Sequence, residues 1–290
     1  MVLEPDPVVL EPDPAVLQAL PAGYRSLFLR LVDVAVADER IRAVWLSGSL
    51  GRGVADAGSD LDVVLTVADD AFDGFAAGWR DWLARVTPTV LARELPGLPG
   101  CWHSLTPACE RLDVVTERAG GQPRGDRRHR LLVLDRDGAS GSAAGVPAGV
   151  PAAAPPAGPR PGRLAEIVEE FLRQQAIFPA AVVARGDWLL GVVGTQGVHL
   201  MLYQLFVESN QPLPAMGVKQ WSAKLTPRQR ACLGALPQPA PRPEAVLHAM
   251  RAAAAEFRAQ AREILDAHQV PWPEALDAAV TAYQARELGW

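Results

Sequence analysis

LSGSLGRGVADAGSDLDVVLTV, residues Leu46 to Val67, decides how the rest of the chain is read. A short apolar run, Ala43 to Leu46, leads into Gly48-Ser49. A loop with Gly51, Gly53 and Gly58 follows, and Ser59-Asp60-Leu61-Asp62 then opens a second apolar run, Val63 to Leu65. Side chains at i and i+2 of a strand share a face. A strand from Asp60 therefore projects Asp60 and Asp62 together, with Leu61 and Val63 on the other side. Two carboxylates side by side repel unless a cation lies between them, and an all-oxygen donor set suits Mg²⁺. Gly48 and Ser49 offer backbone N–H groups and a hydroxyl to a polyphosphate. The plainer alternative is a hairpin with a glycine-rich tip and two solvated aspartates.

Working outward, Tyr24 to Asp38 carries apolar residues at helical spacing, and Arg40 to Ser47 reads as the strand before the turn. Ser49 starts a short helix facing the phosphates. Asp69 to Val86 reads as one amphipathic helix through Phe72, Phe75, Trp79, Trp82 and Leu83. Thr89–Leu95, Cys101–Leu105, Arg111–Glu117 and Arg127–Leu134 are further strands. In Arg111 to Glu117, period two places Asp113, Val115 and Glu117 on one face. An acid inside an apolar strand is costly without a partner. The basic entry Arg127 to Arg130 fits either a triphosphate or plain solvation.

The pattern of strand, Gly-Ser, glycine-rich loop and Ser-Asp-x-Asp, with Asp60 eleven residues after Ser49, resembles the nucleotidyltransferase superfamily of the DNA polymerase β type. The resemblance implies a third carboxylate on a later strand. Asp113 is preferred for it, with Glu117 the alternative. It also implies a layout like the small-molecule nucleotidyltransferases that modify aminoglycoside and lincosamide antibiotics. That layout is an α+β nucleotidyltransferase domain, a mixed sheet with flanking helices, followed by an all-α helical bundle. The expected boundaries are an arm over 1–22, the nucleotidyltransferase domain over 23–137, a linker over 138–162 and the helical, substrate-binding domain over 163–290. Two Mg²⁺ ions would sit on Asp60, Asp62 and Asp113, about 3.5–4 Å apart as in other two-metal sites. Gly48, Ser49 and Arg52 would steady the triphosphate. Asp113 or Glu208 would serve as general base. In the antibiotic enzymes a lysine of the helical domain reaches the triphosphate. Only two of the 28 basic residues are lysines, Lys219 and Lys224, which lie six positions apart inclusive. Either can play that part, or both are solvated. The expected reaction moves a nucleoside monophosphate, AMP from ATP, onto a hydroxyl of a small acceptor, an aminoglycoside or lincosamide. The alternatives are transfer to a protein or RNA, as in the antitoxin-like branch, and an inactive nucleotide-binding relative.

Composition bounds the rest. With 49% hydrophobic and 21% charged residues over 290 positions, the chain can fill the cores of two domains. A net charge of −5 speaks against nucleic acid as a partner. Three cysteines without metal-ligand spacing and no secretion signal point to free thiols in the cytoplasm. The five histidines form no metal-binding pair, and His199 reads as a hydrogen-bonded core residue. Residues 2–14 repeat VLEPDP, where alternating proline and acid disfavours regular structure. Gly138 to Gly162 is a Gly/Ala/Pro-rich linker. Beyond it, helices are expected around Leu164–Leu172, Trp188–Val207, Pro243–His268 and Pro273–Leu288. Trp188–Val207 has no formal charge over a bilayer-spanning length. It is read as a central, fully buried helix whose Gly191, Gly194 and Gly197 admit a neighbour.

Overall fold

The computed structural model describes residues 8–9, 22–124, 129–137 and 158–290. Two compact units emerge. One is Met1–Ala152 with Ala215–Lys219, and the other is Ala153–Pro214 with Gln220–Trp290. Most of the expected linker, residues 138–157, lies outside the described residues, as do most of the N-terminal arm and Arg127-Arg128.

In the first unit, helix α1 (Ala22–Val36) precedes β2 (Ile41–Leu46), a short helix α2 (Gly48–Gly51) and β3 (Leu61–Val67). Two helices, α3 (Phe72–Ala77) and α4 (Trp79–Val86), lead to β4 (Leu91–Glu94), β5 (Trp102–Leu105), β6 (Arg111–Arg118) and β7 (Leu131–Asp135). The expected single helix over 69–86 is thus broken at Gly78, which caps one helix and starts the next. Val8–Val9 forms strand β1, pairing antiparallel with Asp135 and Leu134. Within the repeat, these two residues stand between the Pro-acid pairs and are free to donate to a ladder. The sheet order is β1-β7-β2-β3-β6-β5-β4, mixed because β3 and β6 run parallel while their outer neighbours are antiparallel.

The two faces of this sheet differ sharply. One carries Leu61, Val63, Leu65, Val67, Leu112 and Val114 and packs against the apolar sides of α1, α3 and α4. Trp102 anchors it, stacked on Trp79 at 4.9 Å and meeting Trp82 edge-on at 5.9 Å. A buried side chain of this size stabilises the fold by about 1.5–3 kcal/mol. The opposite face has only a small apolar patch, with Ala43, Trp45 and Val64 at its centre and Val115 and Leu132 beside them. On that sparser face the strands carry their acids.

The second unit is helical: α5 (Pro161–Phe178), α6 (Trp188–Ser209), α7 (Pro227–Ala235), α8 (Pro243–Ala267) and α9 (Glu274–Leu288). Pro179 cannot donate an N–H, and the chain widens there into a π-helical turn, with Ala184 N–H reaching Pro179 O at 2.9 Å. The core stacks Phe171 on Phe257 at 3.9 Å and ties Gln284 Nε2 to Gln175 at 3.1 Å. Helix α7 has no counterpart in the expected elements, although Thr226-Pro-Arg-Gln229 spells a capping box, and both of its bonds are present.

Helix α6 departs from its expected burial. By length and composition it could cross a membrane, yet only one side enters the bundle, through Gly191, Thr195, Val198, Leu202, Leu205 and Phe206. Leu189, Val193 and Leu200 are exposed on the other side. A Cβ on Gly191 would come within 2.5 Å of Val246 of α8, so this glycine does admit a neighbour, whereas Gly197 has nothing within 4 Å. His199 is not a hydrogen-bonded core residue: its Nε2 is buried without a partner among the described residues, and burial lowers its pKa. The three cysteines are free thiols.

Candidate active site

Strand β3 and strand β6 pair in parallel with Asp62 opposite Asp113, Leu61 opposite Leu112 and Val63 opposite Val114. Apolar neighbours on the helix-covered face fix this register, because a one-residue slip would turn the leucines and valines outward. The same register brings the two aspartates side by side on the sparse face. Asp60 lies just before β3 rather than in it, and is itself largely buried, at 15% exposure.

Gly48 makes room for this arrangement. Its φ of +57° is left-handed, and a Cβ there would lie 1.8 Å from Asp62 Oδ2. Any other residue would be strained and would strike the carboxylate. The Ser47 N–H donates to Asp62 O at 2.9 Å, which ties the turn to the strand. Ser49 Oγ is buried without a hydrogen-bond partner among the described residues, a state that costs about 1–3 kcal/mol. The following loop is folded: Asp56 Oδ1 accepts from Gly58 N–H at 3.0 Å and Ser59 Oγ donates to it at 3.2 Å.

The carboxylates share a strong local field. Burial, then Asp60, then Asp113, push the Asp62 carboxyl up to about 6, opposed by Lys219 and Arg52. Asp60 and Asp113 each have a basic neighbour. Lys219 Nζ lies 2.6 Å from Asp60 Oδ2, with Arg111 Nε 3.8 Å from the same oxygen. Arg111 also donates to Gly58 O at 2.6 Å, joining the end of the glycine loop to β6. His103 Nδ1 lies 2.9 Å from Asp113 Oδ2. His103 stands opposite Asp113 in the antiparallel β5–β6 ladder. As the side chains stand, no group of three His, Cys, Asp or Glu among the described residues converges on one point.

Glu117, the alternative third carboxylate, is committed elsewhere. Its Oε1 accepts from Arg130 Nη1 at 2.9 Å, and both groups are almost fully buried. Its Oε2 accepts from Arg124 N–H at 3.0 Å. Glu208, expected as a possible base, is held by the backbone N–H and guanidinium of Arg160 at 2.8–3.0 Å. These bonds lower its pKa, so it is a poor proton acceptor at neutral pH. The two lysines part company. Lys219 belongs to the first unit, while Lys224 lies in a 3₁₀ turn of the second, its carbonyl accepting from Asn210 Nδ2 at 2.9 Å.

No protein-family model matches this chain, and no curated protein matches it. Among solved structures, it is similar to an aminoglycoside 6-adenyltransferase from Bacillus subtilis. The two share 12% identity, with 89% of this chain and 95% of that chain covered and a TM-score of 0.34.

Sequence reasoning missed His103 and Arg111 as neighbours of the acids. Period two within Cys101–Leu105 separates His103 from Trp102, but its partner follows only from the ladder register. That register is set by the turn over residues 106–110, where Thr106 N–H bonds Glu110 O at 3.0 Å and Cys109 takes a φ of 61°.

Proposed function

We propose that the chain transfers a nucleoside monophosphate, AMP from ATP, to a hydroxyl of a small acceptor, an aminoglycoside or lincosamide antibiotic, and releases pyrophosphate. One observation carries the reading: Asp62 and Asp113 stand opposed on parallel strands beside a left-handed Gly48 whose missing Cβ makes room for the Asp62 carboxylate. Structural acids are usually paired one to one with bases. Here burial and mutual repulsion hold Asp62 in a state that a cation would relieve.

The donor chemistry fits Mg²⁺, a hard ion that takes carboxylate oxygens and substrate phosphates. Asp60, Asp62 and Asp113 would hold it, with Asp60 leaving Lys219 and Asp113 turning from His103. Bound there, Mg²⁺ supplies Lewis acidity at the donor phosphate and makes the acceptor hydroxyl more acidic. The chain supplies the rest. Gly48 and Ser49 offer N–H groups and the unsatisfied hydroxyl to the phosphates, and Arg52 adds positive charge. Lys219, released from Asp60, becomes a point charge for the same phosphates. The acceptor oxygen bonds the α-phosphorus as the bond to pyrophosphate breaks, and its proton passes to the Asp113 carboxylate.

The test is pyrophosphate release from ATP and Mg²⁺ against a panel of aminoglycosides and lincosamides. Release should require a panel compound and should fall at least a thousandfold in Asp60→Asn/Asp62→Asn, an effect of about 4 kcal/mol. Release that persists in the double variant sinks the assignment.

A further inference from the structure

The helical unit holds a cavity of about 240 Å³ where α8 and α9 face each other. Helix α9 packs against α5, and α8 packs against α6 and α5. Between α8 and α9 the space is spanned by polar side chains: Arg258 Nε and Arg262 Nη2 of α8 reach the same Asp277 of α9 at 3.0 and 3.1 Å. On α8, Arg251, Ala255 and Arg258 recur at i, i+4 and i+7, so they share one side of the helix. Ala254 and Ala255 leave the gap that larger side chains would fill. Trp290 forms a wall, held by stacking on Phe178 at 5.9 Å.

Arg258 lines this space incompletely bonded. Its Nε donates to Asp277, but its Nη2 is buried without a hydrogen-bond partner among the described residues. Buried donors in folded proteins are nearly always satisfied, so this one marks a place for an acceptor. Phe171 lies 5.4 Å from the guanidinium carbon and offers it only a ring face. Asp277 is already shared by Arg258, Arg262 and the Trp272 indole N–H. Arg251, exposed at the edge of the cavity, has no acid within ion-pairing distance among the described residues. Arg251, Arg258 and Arg262 thus stand against two carboxylates, Asp277 and Glu274, a surplus of one positive charge.

We propose that this cavity binds a small aromatic carboxylate, a monoanion carrying one ring. The ring fills the apolar part, between the two alanines and the Trp290 indole, and the carboxylate accepts from Arg258 Nη2 and Arg251. A cavity of about 150 Å³ holds benzene, so the larger volume here takes one ring with its carboxylate but not a nucleotide. A phosphate fits less well, because its charge exceeds the surplus and its remaining oxygens would face alanine and indole carbon. The site lies within the helical unit and uses none of the acids of the sheet, so its ligand is independent of nucleotidyl transfer.

Calorimetric titration of the full chain with benzoate, without nucleotide or Mg²⁺, tests this directly. Benzoate should bind with a dissociation constant below about 1 mM. Benzamide, its neutral counterpart, and acetate, which lacks the ring, should each bind at least about tenfold more weakly. Arg251→Gln should weaken benzoate about tenfold, the loss of one charge-assisted bond. Ala255→Leu fills the cavity from an exposed helix position and should bring benzoate binding below detection. Both variants should unfold at the wild-type temperature, because neither side chain makes a bond that holds the helices together. No binding of benzoate to the wild type at about 10 mM overturns the proposal. So does binding that survives Ala255→Leu unchanged, since the ligand would then lie elsewhere. Benzamide as tight as benzoate would remove the guanidiniums from recognition and overturn it too. Inorganic phosphate that displaces benzoate at equal concentration would reveal a general anion patch and overturn the aromatic ligand.

Discussion

Burial and two neighbouring carboxylates push the Asp62 carboxyl up to about 6, while in an unfolded chain an aspartate titrates near 3.9. The raised value means that the folded state holds the proton more tightly than the unfolded one. Asp62 therefore contributes stability below about pH 4, and that contribution is lost as the pH rises through about 6. At pH 7.5 without metal, its ionised form costs the fold on the order of 2–3 kcal/mol. Asp62→Asn should raise the thermal midpoint of the metal-free protein at pH 7.5 by several degrees and flatten the rise in stability on acidification. A lower midpoint in the variant would mean that the carboxylate is better compensated than its surroundings indicate. At this scale the sequence was informative where one strand sufficed: Asp62 is legible inside its apolar run and Gly48 in the Gly-Ser turn, whereas Asp60, expected in the strand, precedes it. The reason Gly48 must be glycine was not legible. It lies in the Asp62 oxygen 1.8 Å from an absent Cβ, a contact between neighbouring strands. The pairing of His103 with Asp113 was hidden for the same reason.

Among the elements, β6 shows how one strand serves structure and site together. Its Asp113 stands in the acid cluster, while Glu117, two steps along the same face, joins Arg130 just before β7. Both members of that pair are nearly without solvent contact, so removing one leaves a buried charge. Arg130→Met should cost about 3–5 kcal/mol in urea unfolding. Glu117→Leu/Arg130→Met should recover most of it, since apolar replacements of similar volume often restore stability. Failure of the double variant to recover would show that the bonds to Arg124 carry more than the ion pair. The strands themselves were readable as apolar runs bounded by turns. The break at Gly78 was not, because a single-residue interruption leaves Phe75, Trp79 and Trp82 in helical phase. Helix α6 was misjudged on burial: uniform hydrophobicity gives no direction to a helix, and only packing against α5 and α8 chooses which side is covered.

For the molecule as a whole, the net charge of −5 spreads over a chain with 28 basic and 33 acidic residues. Polyanion binding needs an excess of basic surface. The protein should pass through a heparin column at 150 mM salt, and retention there would revive RNA as the acceptor. The presence of a mixed sheet followed by helices was legible from the change in periodicity along the chain. The assignment of Ala215–Lys219 to the first unit was not, since those five residues sit among helices in the sequence. Their placement has an evolutionary consequence. The first unit is not one continuous piece of gene, and the ammonium beside Asp60 is encoded among the helices. Recombination that replaced the helical half would replace Lys219 with it. A lineage acquiring a new second half by such exchange would also change the charge at its acid cluster, so the two would be inherited together.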